Sequence, residues 1–234
     1  VGIAESCAPS AREKPLARIP GVEAMLARGW VVVATDYPGL GTPGPHGYMV
    51  GSAAANAMLD SVRAARGLPE ARAGNRFALA DNVRAMSRGA IGTLGGFILQ
   101  SWSEVYGAPL SDLVDAETAD VVRRGTAGCF GRDAGFGQVG RLIKLSRRLR
   151  DIDVLANPRW SDLVARNAAP LPDATSAPVK LVSAVEDSLV ADSVTRDFAA
   201  RACAAGARLA YFAAEDAGHS SSAFKTAEAT IAFI

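Results

Sequence analysis

Apolar and polar positions alternate with two different periods along this chain, and the change of period divides it into regions. Residues 1–20 read as loop, broken by Pro9, Pro15 and Pro20. Gly21 to Arg28 predicts a short helix with Val22, Met25 and Leu26 on one face and Gly29 as its stop. The unbroken run Trp30-Val31-Val32-Val33-Ala34-Thr35-Asp36-Tyr37 predicts a strand buried on both faces, as a central parallel strand is. It leads into a loop of four glycines and three prolines, Pro38 to Gly47. Helical spacing then returns: Val50, Ala54, Ala57, Met58, Val62 and Ala65 form one stripe of a helix over about 50–66. Another strand is expected at Arg76–Ala80.

From Ala90 to about Pro172 the period is helical throughout. Helices are expected over Phe97–Tyr106, Ser111–Arg124, Gly140–Asp151 and Arg159–Asn167, with Phe97, Trp102, Tyr106 and Trp160 giving them aromatic faces. Near Pro178 the β/α alternation resumes. A strand from Val179 ends in Glu186-Asp187, a helix covers about Ala191 to Ala205, and a second strand from Arg208 to Phe212 runs on to Gly218-His219. A last helix closes the chain. The expected fold is α/β: a mostly parallel sheet, incomplete, formed by 1–89 and 173–234, with 90–172 inserted as a helical cap. A separate helical domain is the alternative for 90–172.

Composition narrows the function. The 234 residues are 49% hydrophobic and 21% charged, which fits a packed globular protein. Twenty-five basic and 24 acidic residues leave a net charge of +1, so the whole-chain balance gives no case for nucleic acid or an anionic membrane surface. No run approaches the roughly 20 apolar residues of a spanning helix. No signal peptide is readable, and a start at Val1 reads as a fragment or a processed form. Cys7, Cys129 and Cys203 are too scattered for a zinc site; one disulfide plus a free thiol, or three reduced cysteines, fit equally. Neither a dinucleotide fingerprint nor a P-loop occurs, and no metal or cofactor is expected.

Candidate chemistry lies at strand ends, where open α/β sheets hold ligands. Asp187 and His219 leave two neighbouring strands in the order acid, then histidine, which a nucleophile–acid–base triad on such a sheet requires. The competing reading makes Asp187 the N-cap of the next helix and His219 a loop residue; Glu186 and Asp216 are neighbouring acids that could take the acid role. The nucleophile is missing from the pattern. No Gly-x-Ser-x-Gly occurs, and the nearest form, Ala85-Met86-Ser87-Arg88-Gly89, follows a polar or charged stretch, Asp81, Asn82 and Arg84, that a tight elbow excludes. Ser87 reads better as part of a helix start.

In order along the chain, Cys7-Ala8-Pro9-Ser10, Gly29 to Gly41, the 50–66 helix, Ser101 to Leu110, Val185 to Val190, Phe198 to Gly206 and Gly218-His219 resemble the secretory lipase family of α/β-hydrolases. The resemblance implies a secreted enzyme that hydrolyses acyl esters, triacylglycerols or shorter ones, by a Ser-Asp-His mechanism without a cofactor. It makes Asp187 and His219 the acid and base, and the Asp36 backbone N–H an oxyanion-hole donor. Against the family pattern, the chain passes from Arg76–Ala80 to the cap as if the elbow segment were absent. The alternative is an inactive α/β-hydrolase-like protein that binds an apolar ligand or partner under its cap.

Overall fold

The computed structural model describes residues 2–69, 93–129, 135–219 and 221–233. The expected strand Arg76–Ala80 and Ser87 lie outside these. The described residues divide into two compact units, one drawn from Val1–Pro15, Ala34–Ala64 and Ile91–Ala168, the other from Leu16–Val33, Ala65–Ala90 and Ala169–Ile234.

The first unit is helical. Helix α2 (Gly51–Arg66) contributes its residues up to Ala64, and α3 (Thr93–Tyr106), α4 (Ala116–Thr126), α5 (Phe136–Leu149) and α6 (Pro158–Arg166) complete it. Sequence periodicity placed each of these within a few residues. Their ends follow from local chemistry. Asp115 caps α4 by accepting from the Thr118 N–H at 2.7 Å, and Asn157 caps α6 ahead of Pro158, whose missing N–H costs nothing there. One core holds the unit, with Phe97, Val122, Leu145, Leu149 and Trp160 almost fully buried. Leu145 of α5 packs where α3 and α4 each carry a glycine: a Cβ on Gly96 would stand 2.6 Å from Leu145 Cδ2, and one on Gly125 3.0 Å. The three helices approach closely because those side chains are absent.

A disulfide joins Cys7 to Cys129 within this unit and leaves Cys203 free and exposed. That settles a pairing which cysteine spacing left open. Around it pack Ala8, Leu40, Ala4 and Cys129 itself.

The second unit carries the strands. Helix α1 (Val22–Ala27) ends as Gly29 predicts: the Gly29 N–H reaches Leu26 O at 2.9 Å, the Trp30 N–H reaches Met25 O at 3.1 Å, and Gly29 takes φ +71°. Trp30 and Met25 then pack together with Ile231, burying the contact that accompanies this kind of helix end. Strand β1 (Val179–Ala184) and strand β2 (Leu209–Ala214) pair in parallel, Val179 opposite Leu209 through Ala184 opposite Ala214. Parallel neighbours need a crossover, supplied by α7 (Asp192–Ala204). Gly206, at φ +85°, closes α7 with the same two bonds that close α1, Gly206 N–H to Cys203 O and Ala207 N–H to Ala202 O, each 3.0 Å. Two short helices, α8 (Ser222–Lys225) and α9 (Ala227–Phe233), complete the unit.

One expected element is absent from the described sheet. Residues 30–37 carry a single bridge residue, Val31, and no ladder; Val31, Val32 and Val33 are half-buried rather than buried. A β-branched run states what burial a segment needs, but a strand exists only where neighbours supply its hydrogen bonds. The segment expected to be the next strand lies outside the described residues. The sheet that is described is therefore α/β in kind, parallel, and two strands wide.

Candidate active site

The backbone pairing that defines β1 and β2 continues past their ends. The Val185 N–H donates to Ala214 O at 3.1 Å and the Glu186 N–H to Ala217 O at 3.3 Å, so the two loops that follow the strands are tied to each other. Ala217 is fully buried, and Asp216 turns the chain at φ +51°, a left-handed conformation that aspartate tolerates better than most residues. This arrangement delivers Asp187 and His219 to one place. Asp187 Oδ2 stands 2.8 Å from His219 Nδ1, with 9% of the Asp187 side chain and 17% of the His219 side chain exposed.

Asp187 does not cap α7. That position belongs to Ala191, which makes no side-chain cap. The carboxylate divides its labour instead. Oδ1 accepts the N–H groups of Leu189 and Val190, at 2.8 and 2.9 Å, while Oδ2 faces the histidine. Burial raises its pKa; the Val190 N–H, the His219 ring and the Leu189 N–H lower it, and the net is a carboxyl below its ordinary value. An ionised carboxylate only accepts, so His219 Nδ1 carries a hydrogen, and in the neutral ring Nε2 is then the acceptor. Nε2 is buried and has no hydrogen-bond partner among the described residues. In its neutral form an imidazole held in this tautomer, with its second nitrogen buried and facing no partner among the described residues, is equipped to take a proton from a hydroxyl.

Beyond the loop, α7 is tied back to the strands. The Tyr211 hydroxyl on β2 donates to the Asp192 carboxylate at the start of α7, and Arg196 pairs with the same carboxylate one turn on. Segment 185–191 is thereby fixed at both ends. Sequence reading missed this tyrosine–aspartate tie, whose signal is a polar hydroxyl on a strand otherwise apolar.

Asp36 belongs to the other compact unit. Its carboxylate accepts the Ser10 N–H at 2.9 Å and the Ser10 hydroxyl, a side-chain role the sequence did not announce. The next residue, Tyr37, takes φ +68°, a strained choice for a bulky residue. The turn after it is packed to its limit: a Cβ on Gly39, at φ +83°, would stand 2.5 Å from the His46 nitrogen. His46 pins the loop by a 3.0 Å contact from Nδ1 to Pro38 O, and burial lowers its pKa more than that bond raises it. Ser101 of α3, fully buried, donates to His46 O at 2.7 Å and accepts the Tyr48 N–H at 2.9 Å. Among the described residues no group of three or more His, Cys, Asp or Glu is placed to hold a metal. No described helix is long and apolar enough to cross a membrane.

A parallel β–α–β unit with an acid and a histidine joined at its two strand ends puts this protein in the α/β class. Within it, residues 19–84 match the model of the secretory lipase family. That segment, under a third of the chain, aligns with lipase-type hydrolases and includes Asp36; Asp187 and His219 fall outside it. No curated protein and no solved structure matches the chain.

Proposed function

We propose that this chain is an α/β-hydrolase of the secretory lipase family that hydrolyses acyl esters, triacylglycerols or shorter esters. His219 acts as general base and later as general acid, and Asp187 holds its tautomer and stabilises the imidazolium that forms. The observation that carries this reading is the 2.8 Å contact of His219 Nδ1 with a buried carboxylate, leaving Nε2 buried and without a partner among the described residues. The family match over residues 19–84 supplies the reaction class. In this reading residues 1–89 and 173–234 form the hydrolase core and 90–172 its helical cap, and the Asp36 N–H helps bind the oxyanion. The Cys7–Cys129 disulfide supports a secreted protein, since such bonds persist in oxidising compartments.

The absence of Gly-x-Ser-x-Gly favours one competitor, an inactive hydrolase-like protein that binds an apolar ligand. A fluorophosphonate probe with mass-spectrometric mapping separates the two. The enzyme reading expects one labelled serine whose labelling falls on His219→Ala. Failure to label any serine sinks it in favour of the binding protein. Labelling at Ser87 would make that residue the nucleophile and move the start of the cap.

A further inference from the structure

Helix α5 has two apolar faces where one is expected. Its buried side chains, Gln138, Leu142, Leu145 and Leu149, follow helical spacing and enter the core of their unit. The opposite face of an amphipathic helix is normally polar. Here that face begins with Phe136, Val139 and Ile143, exposed at 99%, 44% and 49%. Continuing along the same line, at three- and four-residue steps, it ends with Arg147 and Arg150, both exposed. Arg141, Lys144 and Arg148 flank this line. Five cations and no acid occur between Gly135 and Arg150, in a chain whose net charge is +1. Arg148 is ion-paired with Glu117, and Arg141 Nε donates to Gln138 Oε1 at 2.9 Å. Lys144, Arg147 and Arg150 are exposed. The near-zero balance of the whole chain conceals this concentration of positive charge.

We propose that the outward face of α5 docks on an anionic lipid surface. The helix would lie in the plane of the interface, with Phe136, Val139 and Ile143 in the boundary between headgroups and acyl chains. The long stems of Lys144, Arg147 and Arg150 reach past that boundary to the lipid phosphates. Charge complementarity selects the occupant. A ridge of three apolar side chains in line with cations suits a soft, flat, negatively charged partner, in which each basic residue near the surface strengthens binding about fivefold. The surface needs no catalytic step, so it stands or falls apart from the hydrolase reading.

Vesicle flotation of the purified full chain tests it, with vesicles of phosphatidylcholine alone and with phosphatidylglycerol added. Binding is expected to the anionic vesicles and to weaken as salt is raised. It should weaken more than tenfold in Lys144→Glu/Arg147→Glu, and should also be lost in Phe136→Ser. These side chains are exposed, so circular dichroism and the melting midpoint should match the parent protein. Equal partition onto both vesicle types, no vesicle binding at all, or unchanged binding by the folded variants would each overturn the proposal. A dimer seen by sedimentation that Phe136→Ser dissolves would also overturn it, by giving this face to a second copy of the chain.

Discussion

His219 Nδ1 meets Asp187 Oδ2 at 2.8 Å across a sequence separation of 32 residues, and the two loops carrying them are joined by the Glu186 N–H to Ala217 O bond. Because the carboxylate also accepts from Leu189 and Val190, its orientation does not depend on the histidine. The histidine's tautomer does depend on the carboxylate.

Nitrogen NMR of His219 should therefore report the Nδ1–H form in the parent protein and lose that preference in Asp187→Ala. The readout does not require catalysis. An unchanged tautomer in the variant would mean that some other group sets it and that Asp187 is not the orienting acid.

Two of the groups with depressed pKa values, His46 and Asp187, add to acid lability in two separate windows. His46 is buried and its pKa lies below the ordinary histidine value, so protonation favours the unfolded chain. Its contribution is complete above about pH 6.5 and is lost as pH falls through the folded value below that. Asp187 is also depressed, by its hydrogen bonds, so its contribution is present above about pH 4 and disappears as pH falls further. Denaturant midpoints measured from pH 8 to pH 3 should fall in both windows. His46→Asn should flatten the upper one; Asp187→Asn should make the lower one shallower, the rest belonging to Asp115, Asp173 and Asp192, whose carboxyls also lie below the ordinary value. A parent protein with a level profile through pH 6.5 would contradict the His46 assignment.

The Cys7–Cys129 bond closes a loop with a sequence separation of 122. In the chain-entropy account a loop of this length stabilises by about 5 kcal/mol, and measured losses on removing native disulfides run to about 2–5 kcal/mol. Cys7→Ser/Cys129→Ser should lower unfolding stability within that range, and reductant should do the same to the parent chain. Cys203→Ser should leave the midpoint where it is, since that thiol is free and exposed.

What the sequence made legible was local. Gly29 and Gly206 announce the ends of α1 and α7 because a left-handed residue after a helix needs no distant partner. The order of Asp187 and His219 announces their meeting because a strand end and its neighbour are fixed by the β–α–β unit alone. The run Trp30–Tyr37 carries one bridge residue and no ladder among the described residues, and a strand's pairing depends on a neighbour that the run itself does not encode. Nor could spacing pair Cys7 with Cys129, and a whole-chain charge of +1 hid the basic line on α5. Each of these depends on residues remote in the chain or on which face a helix buries.

The contact of Leu145 with Gly96 and Gly125 is of that remote kind, and it predicts opposite signs for the same chemical change. Glycine to alanine inside a helix ordinarily stabilises by up to about 1 kcal/mol. At Gly140, which has open space around its Cβ position, Gly140→Ala should raise the melting midpoint. At Gly96 the new methyl would stand 2.6 Å from Leu145 Cδ2, 2.9 Å from Cδ1 and 3.0 Å from Cγ. Leu145 is fully buried, so no rotation carries it clear. Overpacking of this sort costs about 1–3 kcal/mol and outweighs the helical gain, so Gly96→Ala should lower the midpoint. Leu145→Ala alone should cost about 2–5 kcal/mol. Combined with Gly96→Ala, it should cost less than the two separately, because the added methyl enters the space the leucine vacates. Strict additivity in that double-mutant cycle would show that the two residues do not press on each other.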